Sequence, residues 1–161
     1  MASRSGLSFW VFLLLLLVIH FMLHLALGLR ESAPDLLTIA LLLGARRTTS
    51  SLAAGLGLLL GLLHDSLSIT AFGADAVVLT VLGYAGARSR DLFEGDSLLF
   101  VGGYLFLGKW LHDVLYWVLA RNLTGGNFVS RFLVEVPLAA LYAAVAGVVA
   151  LLLYRASTGE R

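Results

Sequence analysis

The fold of this chain is decided by the stretch Pro34-Asp35-Leu-Leu-Thr-Ile-Ala-Leu-Leu-Leu-Gly44, which Arg46-Arg47 follows. Proline and aspartate mark the start of a helix, and paired arginines stop a membrane-embedded segment. The next apolar segment contains Gly55-x-Gly57-x3-Gly61-x3-Asp65, and a further one ends in Gly83-Tyr84-x-Gly86. This order predicts a hydrophobic hairpin with an acid at its mouth, a basic turn, and a glycine-lined second arm that ends in another acid.

The composition excludes an ordinary soluble domain. Of the 161 residues, 60% are hydrophobic and 13% are charged, whereas charged residues make up about a quarter of a typical soluble chain. The absence of cysteine excludes disulfides, thiolate metal sites and cysteine nucleophiles. A net charge of +1 gives no general attraction to nucleic acid. We therefore expect a protein that works within a lipid bilayer and does not bind nucleic acid.

Six apolar segments predict an all-α integral membrane protein with a single polytopic domain, a six-helix bundle over residues 1–161. The first segment stays apolar from Trp10 to Gly28, about 20 residues, which favours a retained spanning helix over a signal peptide. The second to fourth segments are short. The predicted helices are 8–28, 34–44, 51–64, 73–88, 97–119 and 132–154.

The arginine distribution predicts that both termini are cytoplasmic. If all six segments cross, seven basic residues lie on the side of the termini and three on the other, a positive-inside bias. The second segment covers only about 15 Å at 1.5 Å per residue, so a re-entrant hairpin is the alternative. That hairpin would place Arg46 and Arg47 deep in the membrane, which is costly, and we therefore favour six crossings.

Small residues recur along several segments and predict close helix packing, because small side chains let helix backbones approach each other in lipid. Such a row either packs the bundle internally or forms a ridge that binds a partner, and the sixth segment is the best candidate for such a ridge. The predicted packing residues are Gly57, Gly61, Gly83, Gly86, Ala139, Ala143 and Gly147.

Most ionisable residues within the segments fall in the predicted outer half. Lys109 and Asp113 are four residues apart on one helical face and are expected to pair, and Glu135 could join them from the next helix. The group is either an internal ion pair that fixes helix register or a polar patch that receives a ligand or a partner helix. Its candidate residues are Asp35, Asp65, Asp75, Lys109, His112, Asp113, Tyr116 and Glu135.

The sequence offers little for catalysis or metal binding. His20 and His24 are spaced to chelate one ion, but the chain has no His-Glu-x-x-His, no Gly-x-Ser-x-Gly elbow and no glycine-rich phosphate loop. We predict no enzyme activity, no metal and no cofactor.

The order of these motifs resembles the MreD family of bacterial rod shape-determining membrane proteins. The resemblance covers about residues 30–90. It rests on Pro34-Asp35, Arg46-Arg47, the glycine-rich helix that ends at Asp65, and Gly83-Tyr84-Ala-Gly86. His64 stands where the family usually has an apolar residue, and the segment after Asp65 is rich in serine. The family is similar in layout to the six-helix substrate-binding subunits of energy-coupling-factor vitamin transporters.

The resemblance implies a non-enzymatic scaffold of the cell-elongation complex in the bacterial cytoplasmic (inner) membrane, where it supports cell shape and sidewall peptidoglycan synthesis. It implies MreC as the direct partner, with MreB, RodA and a class B penicillin-binding protein in the same complex; a homodimer stays open. The outer polar patch and a small-residue ridge would then hold the MreC helix, so that replacing Lys109 with leucine weakens MreC recovery. One alternative is the substrate-binding subunit of a vitamin-type transporter. Another is a membrane protein whose polar residues only join its helices.

Overall fold

The structure, a computed structural model, describes residues 2–26, 33–67, 72–89, 97–120 and 134–159. These residues form six α-helices and no strand, which confirms the predicted all-α class. The helices are α1 Ala2–Phe21, continued by a π turn at Met22–Ala26, α2 Leu36–Ala45, α3 Ser50–Asp65, α4 Ala74–Arg88, α5 Leu98–Ala120 and α6 Val136–Thr158.

Three of the helices are long and apolar enough to cross a membrane: Gly6–His24, α5 and α6. The chain is therefore a membrane protein. The predicted short segments correspond to α2, α3 and α4, which contain 10, 16 and 15 residues.

The helix bounds differ most from the predicted ones in α1 and α6. α1 begins at Ala2 instead of residue 8, and α6 continues past Arg155 to Thr158. Hydropathy marks the part of a helix that lies in lipid, whereas the helix itself continues into water until its backbone is stopped. Gly159, with φ of +70°, ends α6. The predicted end of the first helix at 28 and the start of the last at 132 lie outside the described residues.

α2 is the centre of the bundle. All ten of its residues are buried, and it contacts α1, α3, α4, α5 and α6. Ile39 and Leu42 are among the most buried side chains in the described chain, and they join Leu105 of α5 in one apolar cluster. A ten-residue helix without a polar face is stable in this position because five neighbours cover it.

α3 and α4 pack as a close antiparallel pair. A Cβ added at Gly57 would strike the backbone of Leu79, and one added at Gly83 would strike the backbone of Ala53. Gly61 is equally close to the backbone of Ala76. These three predicted packing glycines therefore lie where the two backbones touch, as expected for helices in lipid.

Packing at the other predicted small residues differs from site to site. Gly86 lies against the Tyr104 hydroxyl, and Gly147 against Ile39 and Leu105. Ala143 is buried, whereas Ala139 is exposed.

Successive helices run in opposite directions, so the bundle has two distinct ends. At one end, the hydroxyls of Ser8 and Tyr154 share a hydrogen bond of 2.9 Å, and the Arg47 guanidinium carbon lies 3.7 Å from the Phe9 ring centre. We call this the arginine end; it also holds Arg46, Arg88 and Arg155. The opposite end, where α3 finishes and α4 begins, is called the network end.

Candidate functional site

The site begins at Asp35, which caps the first turn of α2. Its carboxylate accepts hydrogen bonds from the Thr38 amide at 3.1 Å and from the Thr38 hydroxyl at 2.7 Å. The Leu37 amide donates to Nδ1 of His20 at 3.3 Å. Two of the four amides that a helix start leaves unpaired are thus satisfied by side chains.

Lys109, the only lysine of the chain, connects α2 to α5. Its Nζ lies 2.8 Å from Asp35 Oδ2 and 2.5 Å from Asp113 Oδ1. The residue is 8% exposed. One ammonium therefore serves two carboxylates in a mostly buried setting, where unpaired charges are very costly.

His112 extends the chain of contacts from Asp113 to α4. Its Nδ1 lies 3.1 Å from Asp113 Oδ1, and its Nε2 lies 3.2 Å from Asp75 Oδ1. An ionised carboxylate only accepts hydrogen bonds, so His112 can donate to both carboxylates only when both of its ring nitrogens carry a proton. The Tyr116 ring stacks nearly parallel to His112, with 6.1 Å between ring centres.

Asp75 joins this chain to the end of α3. Its second oxygen lies 2.6 Å from Nδ1 of His64. The Asp75 side chain is 3% exposed, whereas that of His64 is 34% exposed. His64 is thus the most exposed member of a connected set that we call the polar network: Asp35, Lys109, Asp113, His112, Asp75 and His64.

Asp65 is not a member of the polar network but fixes its geometry. Its two carboxylate oxygens accept from the amides of Asp75 at 3.2 Å and Ala76 at 2.9 Å. The last residue of α3 therefore caps α4 and holds Asp75 in place, with 1% of Asp65 exposed.

Two further histidines lie beside the polar network. The rings of His20 and His24 stack with centres 4.0 Å apart, and the ring of His64 is 5.7 Å from that of His20. Nδ1 of His24 donates to the His20 carbonyl at 2.9 Å. All four histidines of the chain thus gather at one end of the bundle. Among the described residues, no group of three or more histidine or acidic side chains is placed to hold a metal ion.

The structure brings together most of the predicted site residues. Asp35, Asp75, Lys109, His112 and Asp113 make direct contacts, and the two remaining inward members, Tyr116 and Asp65, lie beside them. Glu135, the predicted contributor from the last helix, lies exposed just before α6.

Sequence reasoning missed three parts of the site: the Asp35–Lys109 pair, His20 and His64. The sequence signal for the Asp35–Lys109 pair was a single lysine within an apolar segment, together with several acidic residues in the other apolar segments. The sequence places His64 beside Asp65 at the outer end of the third segment, near the start of the fourth with Asp75, but does not by itself show that the His64 and Asp75 side chains meet.

The polar network is largely closed to outside partners. Asp75, Lys109 and His112 are all buried, and each of their charged atoms already has a partner within the bundle. Lys109 thus contacts carboxylates of the protein's own helices, Asp35 of α2 and Asp113 of α5, and the predicted contact with a partner helix stays a prediction.

Comparison with known proteins identifies no relative of this chain. No protein-family model, no curated protein and no solved structure matches the chain.

Proposed function

We propose that this protein is an MreD-type, non-enzymatic scaffold subunit of the bacterial cell-elongation complex, in the cytoplasmic membrane, with both termini in the cytoplasm. The motifs that carry the resemblance are the ones that build the rigid interior. Asp35 caps α2, Gly57 and Gly83 join α3 to α4, and Asp65 caps α4. A six-helix layout similar to that of energy-coupling-factor substrate-binding subunits is part of this proposal.

The observation that carries the scaffold role is the mutual pairing of the polar network. A substrate-binding subunit needs polar groups directed into a ligand cavity, whereas Lys109, His112 and Asp75 are bound to neighbouring helices. Their charges stabilise the arrangement of α2, α4 and α5. What the bundle then offers to other molecules is its outer surface.

The best surface for a partner helix is the face of α6 that points away from the bundle. Ala143 and Gly147 are buried on the opposite face of α6, which packs against the bundle. The exposed apolar residues of this face are separated by alternating spacings of four and three residues. This is the pattern of a helix face, or seam, that packs against another helix. The seam consists of Leu138, Tyr142, Val145, Val149 and Leu152, each at least 42% exposed. MreC, which has a single transmembrane helix, is the proposed occupant, within a complex that also contains RodA, a class B penicillin-binding protein and MreB.

Photo-crosslinking from this seam in the native host tests the proposal. A benzophenone residue replaces Val145 in one variant and Leu14 of α1, another exposed apolar residue, in the control. Cross-links to MreC from position 145 and not from position 14 support the scaffold role. Recovery of ATPases and a coupling membrane subunit indicates a transporter and overturns it, as does an adduct with a second copy of this chain alone, or none.

A further inference from the structure

The polar network contains more fixed negative than fixed positive charge. Three carboxylates, of Asp35, Asp75 and Asp113, face one ammonium, of Lys109. Buried charges need compensation, because an uncompensated buried charge strongly destabilises the folded state. Neutrality of the polar network therefore requires two additional protons.

The other titratable groups that the described helices bring to this end do not supply those protons. His20 of α1 accepts from the Leu37 amide through Nδ1, so in this hydrogen bond that nitrogen carries no proton and the ring is neutral. Asp65 of α3 is satisfied by two backbone amides of α4. Other titratable groups at this end are His24 of α1, which donates to a backbone carbonyl, Tyr116 of α5, which stacks on His112, and Glu135, which lies exposed before α6.

His112 and His64 are placed to hold the two protons. Both nitrogens of His112 face carboxylate oxygens, of Asp113 and Asp75. Nδ1 of His64 faces the other oxygen of Asp75. With both rings charged, three cations balance three anions.

We propose that the polar network is a proton-binding site that locks the α3–α4 pair to α5 when His64 and His112 are both protonated. His64 is the entrance, because a third of its side chain is exposed while Asp75 and His112 are buried. Loss of a proton leaves one buried carboxylate without its cation and weakens the only ionic link that the described residues make between α4 and α5. The inference concerns the bundle itself and does not depend on the identity of its partner.

The sign of the effect follows from linkage. Folding places the Asp75 carboxylate against Nδ1 of His64, and this hydrogen bond raises the pKa of the His64 ring, so the folded chain holds that proton more strongly than the unfolded chain does. Stability is then greatest at low pH and decreases as the pH rises through the range in which the histidines lose their protons.

The test is the thermal unfolding midpoint (Tm) of the full chain in mild detergent between about pH 5.5 and pH 9, followed by tryptophan fluorescence. Trp110 and Trp117 lie on α5, on either side of His112. The Tm of the wild type is expected to fall with rising pH. In His64→Asn and in His112→Asn the pH dependence should shrink by about half, because each variant lacks one of two protons. In the control His24→Asn it should keep its wild-type size.

A wild-type Tm that is independent of pH, or a His64→Asn variant with the full wild-type dependence, overturns the proposal. Should a variant fail to fold, nitrogen-15 NMR of histidine-labelled wild type decides the matter. Two of the four rings are expected to give imidazolium signals near pH 6; four neutral rings under that condition also overturn it.

Discussion

The ammonium of Lys109 lies 2.8 Å from the carboxylate of Asp35, 74 positions away in the sequence, and this contact fixes the start of the central helix against the middle of α5. The same carboxylate caps α2 through Thr38. Helix start and helix pairing thus depend on one side chain, and a change at either residue affects both.

Replacing Lys109 with methionine should strongly destabilise the bundle. Methionine fills a similar volume but leaves Asp35 and Asp113 without their cation, a loss of about 3–5 kcal/mol for a broken buried pair. Tm in detergent is the measurement. Adding Asp113→Asn to the same variant should recover part of the loss, because it removes one of the uncompensated charges. An unchanged Tm in Lys109→Met would contradict the role assigned to this residue.

Gly57→Ala should destabilise the α3–α4 pair, and Gly55→Ala should not. A Cβ at position 57 meets the backbone of Leu79, which cannot rotate away, so a loss of about 1–3 kcal/mol is expected. A Cβ at position 55, on the same helix, has open space within 4 Å. There alanine should raise stability by about 0.5–1 kcal/mol through its better helix propensity. Equal unfolding midpoints of the two variants would show that the backbones are not in contact at position 57.

Asp65→Ala should destabilise the bundle by leaving the first backbone amides of α4 without a hydrogen-bond acceptor. Both amides that it satisfies, of Asp75 and Ala76, lose their acceptor, at about 1–3 kcal/mol for each buried donor. The stability of Asp65→Asn, which keeps one acceptor oxygen, should lie between that of Asp65→Ala and that of the wild type. Ser66→Ala, an exposed neighbour, is the control and should change stability by less than about 0.5 kcal/mol. Matching losses in the Asp65 and Ser66 variants would argue against the cap.

The absence of cysteine allows the two ends of the bundle to be located relative to the membrane. Ser66 lies at the network end and Ser157 at the arginine end, and both are exposed. A membrane-impermeant maleimide added to intact cells should label Ser66→Cys at once. It should label Ser157→Cys only after the cells are permeabilised. The reverse pattern would show that the orientation predicted from the arginines is inverted.

Much of the fold could be predicted because it is local. The N-cap residue Asp35 and the basic pair Arg46-Arg47 delimit α2 to within two residues of the predicted 34–44. The Lys109–Asp113 pair followed from helical spacing alone. In contrast, the partner of Lys109 on α2 depends on how two distant helices cross, which a single sequence does not specify.

The row of small residues on α6 shows a second limit of sequence reasoning. Residues four apart are displaced by about 40° around a helix axis at each step. Ala143 and Gly147 therefore face the bundle, while Ala139, two steps from Gly147, is exposed. Two small residues spaced four apart are therefore more reliably on the same helix face than three residues at the same spacing.

The complete burial of α2 has a consequence for how the chain enters a membrane. Ten residues rise only about 15 Å, half of the hydrocarbon thickness, so α2 alone would leave its polar ends in lipid. None of its sides is available to lipid in the finished bundle, because its neighbours surround it. We therefore expect the membrane insertion of α2 to be coupled to that of the helices that enclose it, including α5 with Lys109.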